Sequence, residues 1–322
     1  MDNTFLGYED PRPSGATGLC RLLTRHPREA DLARRRFRPG PARTSLEQAE
    51  KAHLFGFNAI LADELDLIED LPRELRGSGY EGAAAACATL DLLTLSGDRR
   101  LHALLIGPAA DHPQAVYLGA GRACARLRVP PMWGLRGPHP LRRWFAVDGY
   151  GFQRALSQAD RLVGERCAPA LHTRSQQAIF DLGLGRLLWF HDCAFAEDVA
   201  ARVAGFPVGR RPDLWSGVAY AATYVGGADD EELERLAAHA TSGGFRANLA
   251  QGAAFAAATM LQAGHVPDRA VQAVRTLAGA DPDEAASWTA RALATLDLDP
   301  HDHQEFLAWL AHTRRVWARR DR

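Results

Sequence analysis

The sequence has a single lysine, Lys51; the other 37 basic residues are arginine. That bias, with the abundance of alanine and glycine, fits a GC-rich coding sequence and carries little chemistry. It also lacks a charge excess, with 38 basic against 39 acidic residues and a net charge of −1. Such balance, with 47% apolar residues over 322 positions, excludes a disordered chain. It also argues against a nucleic-acid partner, because such proteins carry a basic excess. The five cysteines are odd in number, run from Cys20 to Cys193 and form no CxxC pair, which predicts a reducing cytosol and no disulfide framework. No apolar run approaches the length of a membrane span, and residues 1–20 contain no apolar core of a signal peptide. HExxH, P-loop and GxSxG patterns are absent, so no metal and no cofactor is expected.

Glycine is over-represented, at 29 residues or about 9%, against roughly 7% in an average protein. Seven glycines recur in one setting: an aromatic or apolar lead, the glycine, then a small residue two positions on. They are Gly56, Gly82, Gly119, Gly149, Gly183, Gly217 and Gly252, at intervals of 26, 37, 30, 34, 34 and 35 residues. The residue two positions later is Gly or Ala in every case except Asn58. Between the phrases lie second helical patterns, such as those starting at Ala196, Asp230 and Pro267, several opening with acids or proline and closing in glycine. A self-similar period of this length predicts an all-α fold, an α-solenoid of helix-hairpin repeats of about 34 residues with tetratricopeptide- or Sel1-like stacking.

Glycine inside a helix costs about 1 kcal/mol relative to alanine, so a register of them needs a packing reason. A stripe of small residues that lets neighbouring helices approach closely supplies one. The dinucleotide-loop reading of GAGRA at Gly119 and GLGRL at Gly183 fails for want of a preceding β-branched strand. Residues 1–44 are expected to be an extended basic arm, with Arg34–Arg43 an exposed lead-in or a docking strip, and residues 45–322 a helical-repeat domain of seven to eight helix pairs. The segment Pro130–Pro140 reads as an interrupting loop, and the last pair, with Trp309 and Trp317, as an atypical cap.

The residues one before and three after each glycine share a helix face. Along successive units that face presents Glu81, Arg122, Asp148 and Arg186, an alternating acid–base ladder. It reads either as a structural ion-pair ladder fixing helix register, or as the polar strip of a ligand groove. In the second reading Phe152, Trp189, Trp215, Tyr220, Gln251 and Phe255 extend or flank the strip, making a groove for an extended hydrophobic molecule with a few polar handles. His191, Asp192 and Cys193 are adjacent but point different ways on a helix, and His301 and His303 sit in a polar turn, so neither group reads as a metal site. Cys87, Cys124 and Cys193 lie in apolar helices and read as core.

The phrases GYEGAAAACATLD, YLGAGRACARL, VDGYGF, LGRLLWF, DLWSGVAYAATYVGG and LAQGAAFAAATMLQAG resemble, as a set, the UnbL family of the enediyne polyketide core cassette. The resemblance covers roughly residues 45–295 and departs at Arg122, where the family pattern suggests an aromatic. It implies a context of bacterial secondary metabolism beside an iterative polyketide synthase, a thioesterase and further accessory proteins, one of them membrane-bound. It brings no catalytic residues. The expectation is an accessory protein that binds a polyene or enediyne-core intermediate in a helical groove and assists its maturation. The alternative is a non-catalytic helical-repeat scaffold for other proteins of the cassette.

Overall fold

The computed structural model describes residues 4–5, 8–9, 18–132, 141–167, 173–296 and 303–320. Apart from a two-residue ladder between Thr4–Phe5 and Tyr8–Glu9, the regular structure there is helical. The helices are α1 (Gly18–Leu23), α2 (Arg43–Ala62), α3 (Arg73–Leu93), α4 (Arg99–Ile106), α5 (Pro113–Leu127), α6 (Phe145–Ser157) and α7 (Arg174–His191). They continue as α8 (Ala196–Ala204), α9 (Arg211–Tyr224), α10 (Asp230–Ser242), α11 (Arg246–Gln262), α12 (Asp268–Ala278), α13 (Pro282–Leu293) and α14 (His303–Ala318). Each of the seven repeated glycines falls within one long helix: α2, α3, α5, α6, α7, α9 and α11. These seven pack side by side in chain order.

The glycines explain that order. A Cβ on Gly119 would sit 2.0 Å from the carbonyl oxygen of Glu81, the residue just before Gly82. The same relation joins Gly149 to Leu118, Gly183 to Asp148, Gly217 to Leu182 and Gly252 to Ser216, at 1.9–2.0 Å. From α5 onward each long helix thus lays its glycine on the backbone of the one before, at an equivalent position, too close for any side chain. The second small residue works towards the following helix: Gly121 meets the carbonyl of Ala146, Gly151 that of Phe180 and Gly185 that of Leu214. Such approach favours Cα–H···O contacts between helices.

Second helices fill the outside. α4, α8, α10 and α12 lie between successive long helices, and α8, α10 and α12 pack on one another. They match the patterns at Ala196, Asp230 and Pro267. Between α2 and α3 the connection is a 3₁₀ turn, Leu65–Asp70, in place of a second helix, so the pairs are unequal. The Gly226-Gly227 turn has positive φ at both residues, 79° and 101°, which glycine adopts without steric cost.

The row curls back on itself. The Tyr224 hydroxyl of α9 occupies the space where a Gly77 side chain in α3 would be, and Thr259 of α11 donates to Gln114 Oε1 of α5 at 2.7 Å. Phe145 of α6 meets Phe255 of α11 and Phe306 and Trp309 of α14. The α13–α14 pair closes the end: Trp309 donates to the Thr289 carbonyl and Trp317 to that of Ala278.

The basic segment ahead of α2 lies against the body. Residues Pro27–Ala30 and Leu32–Arg35 are 3₁₀ turns and Phe37 is buried. Arg35 donates to the Leu156 carbonyl, and the Arg38 guanidinium sits 3.7 Å from the Phe195 ring centroid. Residues 133–140 of the Pro130–Pro140 segment lie outside the described residues, as do His301 and Asp302. No helix among the described residues is long and apolar enough to cross a membrane.

Candidate functional site

Because from α5 onward each glycine packs on the residue preceding the last helix's glycine, the faces one before and three after it stack in register. The ladder is therefore assembled, and it looks inward. Arg122 is 2% exposed. Its Nη1 and Nη2 fork onto Glu50 Oε1 and Oε2 at 3.0 and 2.7 Å, Nη1 also donates to Glu81 Oε1 at 2.9 Å, and Nε donates to Gln153 Oε1 at 3.1 Å. Arg186, 6% exposed, stands with Nε 3.2 Å from Asp148 Oδ1. The Phe152 ring is shared by these two systems, with both guanidinium carbons 4.9 Å from its centroid.

These groups line a central cavity bounded by α2, α3, α5, α6, α7 and α9. Glu81, Arg122, Phe152, Arg186 and Tyr220 of the expected strip border it, and Asp148 lies behind Arg186. Its solvent-sized space is about 30 Å³, room for about two or three waters. Ala49, Ser78, Tyr224 and Val225 border both this cavity and an outer vestibule of about 190 Å³ that Glu74 and Arg269 also line. They form the wall that the two share, and Tyr224, stacked on Tyr220 at 5.5 Å, is the largest side chain in it.

The electrostatics divide the site into a satisfied half and an unsatisfied half. Burial raises the Glu50 carboxyl, but the charge and hydrogen bonds of Arg122, with Arg35 and Arg126, more than offset it and hold the group below the usual carboxylate range. Burial depresses Arg122, yet Glu50 and Glu81 raise it above its ordinary value. Asp148 differs: burial pushes it up to about 6, Arg186 offsets this only in part, and the Glu81 charge adds to the rise. Among the described residues the buried Arg186 Nε, Asp148 Oδ1 and His53 Nδ1 have no hydrogen-bond partner. His53 is held neutral by its burial and then by the Arg122 charge.

Four expected members lie elsewhere. Gln251 receives a hydrogen bond from Arg314 of α14, because the closing pair covers the end of the row. Phe255 faces a separate cleft of about 330 Å³ with Phe145 and Trp309. Trp215, two residues before its glycine, is buried and does not border the central cavity. Trp189 likewise belongs to the core, where its indole donates to the Gly226 carbonyl.

Glu50, His53 and Tyr224 were not anticipated. Tyr224 continues the Tyr220 face by one turn and could have been found by extending the pattern. Glu50 and His53 belong to α2, where the register changes: Gly82 packs on the carbonyl of His53, three residues before Gly56.

Among the described residues no group of three or more His, Cys, Asp or Glu is placed to hold a metal ion. His191 pairs with Asp192 at 2.8 Å, and Asp192 is clamped by Arg202 at 2.5 and 2.7 Å. Burial pushes the Cys87 thiol up to about 12 and raises Cys193, so both behave as small core residues.

None of the curated proteins and none of the solved structures matches the chain. A family model does match, over residues 19–316, and it shows that the chain belongs to the family described as a protein of unknown function, DUF1702.

Proposed function

We propose that this protein is an accessory factor of enediyne polyketide biosynthesis that binds a polyene or enediyne-core intermediate and assists its maturation. The phrases around the repeated glycines support the pathway, through their resemblance to the UnbL family. The central cavity supports the mode of binding: aromatic side chains surround a short strip of acid and base. In this reading the long helices form a helical-repeat solenoid of about 34 residues per unit, curled until its inner face encloses a pocket.

One observation carries the proposal. The ion network around Arg122 borders an internal cavity and leaves Arg186, Asp148 and His53 incompletely satisfied. A buried ion pair is weak as a source of stability, and replacement by apolar residues is often neutral or favourable. Titratable groups with perturbed pKa values in a cavity are what a binding or acid–base site requires. Asp148 and Arg186 are the pair best suited to proton transfer or charge stabilisation.

The scaffold alternative calls for an open, shallow groove, whereas Arg122, Asp148 and Arg186 of the ladder are buried. Contacts with other cassette proteins, a membrane-bound one among them, and a cytosolic location are part of the proposal. The test is deletion of the gene in the producing organism, with identification of what accumulates. A released polyene intermediate is the expected result, and unchanged final product would contradict the proposal.

A further inference from the structure

Arg186 sits in the cavity with its hydrogen-bonding capacity unspent. Among the described residues no acceptor hydrogen-bonds its guanidinium, and its nearest carboxylate, Asp148, lies 3.2 Å from Nε outside hydrogen-bond alignment. By contrast Arg122, one helix pair away, spends its fork on Glu50 and Glu81. A guanidinium presents five donors in a planar fork that matches a carboxylate, and burying it without hydrogen bonds is costly. Aromatic and apolar groups flank it besides Asp148: Phe152 at 4.9 Å and Tyr220 at 5.7 Å from the guanidinium carbon, with Phe190 and Leu118 bordering the same cavity.

We propose that Arg186 is the receptor for the carboxylate of an amphipathic acid, whose unbranched conjugated chain leaves the cavity past Tyr224 towards the vestibule. This deepens the proposed function and rests on it, since it names the head group of the ligand in the same cavity. The negative groups nearby do not bar an anion. Glu50 and Glu81 are engaged by Arg122, and Arg35 and Arg126 add positive charge beside Glu50. Asp148, raised by burial to about 6, is mostly ionised near neutral pH, but its Oδ1 lies outside hydrogen-bond alignment with Arg186 and leaves the guanidinium fork open.

The ligand's route is set by the shared wall. The Tyr224 hydroxyl occupies the volume a Gly77 side chain would fill, and its ring separates cavity from vestibule. With only about 30 Å³ free inside, a chain is admitted when Tyr224 turns towards the vestibule. Arg269, which donates to the Tyr224 carbonyl, stands at the outer edge of that path.

The experiment measures binding of cis-parinaric acid, a conjugated tetraenoic acid, by its fluorescence enhancement on the full chain. Its methyl ester and the neutral hydrocarbon diphenylhexatriene are measured in parallel. The acid is expected to bind about ten- to a hundredfold more tightly than the ester, the range of a hydrogen bond to a charged group. The double variant Asp148→Asn/Arg186→Met, which removes both charges together and is checked for folding by its melting transition, is expected to abolish that preference. Ala290→Trp, which fills the separate cleft beside Phe255, is expected to leave it intact. Equal binding of acid and ester would overturn the carboxylate assignment while leaving the cavity reading in place. Binding of none of the three probes would overturn both.

Discussion

Gly183 rests on Asp148: a Cβ on the glycine would lie 1.9 Å from the Asp148 carbonyl oxygen. One residue thus supplies the backbone on which the next helix packs and a carboxyl of the buried ladder. Gly119 and Glu81 stand in the same relation. The contact that brings the helices together therefore also fixes the spacing of the acids and bases along the cavity wall.

Gly183→Ala is the first test of that coupling. The obstructing atom is a carbonyl oxygen of a packed helix, which cannot swing aside as a long side chain can. Overpacking of this kind costs about 1–3 kcal/mol or more. Gly164→Ala, where nothing lies within 4 Å of the added carbon, is expected to stay within about 0.5 kcal/mol of the parent or to stabilise slightly. Urea denaturation of the two variants makes the comparison.

Arg122→Ala leaves Glu50 and Glu81 without their partner inside the protein. Breaking a buried pair from one side costs about 3–5 kcal/mol, and the loss should appear as a lowered midpoint in chemical unfolding. Adding Glu50→Gln to the variant should recover part of it, since the stranded carboxylate is then removed.

Asp213 supplies a pH test away from the cavity. Burial pushes its carboxyl up to about 7, the Asp181 charge raises it further, and Arg314 offsets this in part. The folded protein therefore holds this proton to higher pH than the unfolded chain, whose value is near 3.8. The resulting contribution to stability is present below about pH 4 and lost as pH rises through 7. Asp213→Asn should match the parent at pH 4 and exceed it at pH 8 by about 1–2 kcal/mol, as read from unfolding curves across that range.

Gly77→Ala addresses the shared wall. Its Cβ would lie 1.8 Å from the Tyr224 hydroxyl, the far end of a side chain that can turn. The variant should fold with little loss of stability and change the rate at which cis-parinaric acid enters. Stopped-flow fluorescence gives that rate, and an unchanged value would remove Tyr224 from the path.

Much of this arrangement was legible in the sequence because the relation between neighbouring long helices is local and repeated. The glycine register gave their order, and the positions one before and three after it led to Glu81, Arg122, Asp148 and Arg186. What stayed hidden depends on contacts far apart in the chain. Phe255 and Gln251 follow the same pattern, but the curl of the row and the α13–α14 pair give them Phe145, Trp309 and Arg314 as neighbours. Glu50 reaches Arg122 because α2 packs two residues out of the common register, with Asn58 where the other helices have Gly or Ala. A period in the sequence cannot show where the series closes or how its first member departs.

The triple variant Glu50→Gln/Glu81→Gln/Arg122→Met tests the central claim most directly, because it neutralises Arg122 together with both carboxylates that it pairs. Its thermal stability and the amount of final product formed in the producing organism are measured together. A network that serves the ligand cavity predicts a protein at least as stable as the parent, with product formation lost. A stable protein that supports undiminished product formation would contradict it.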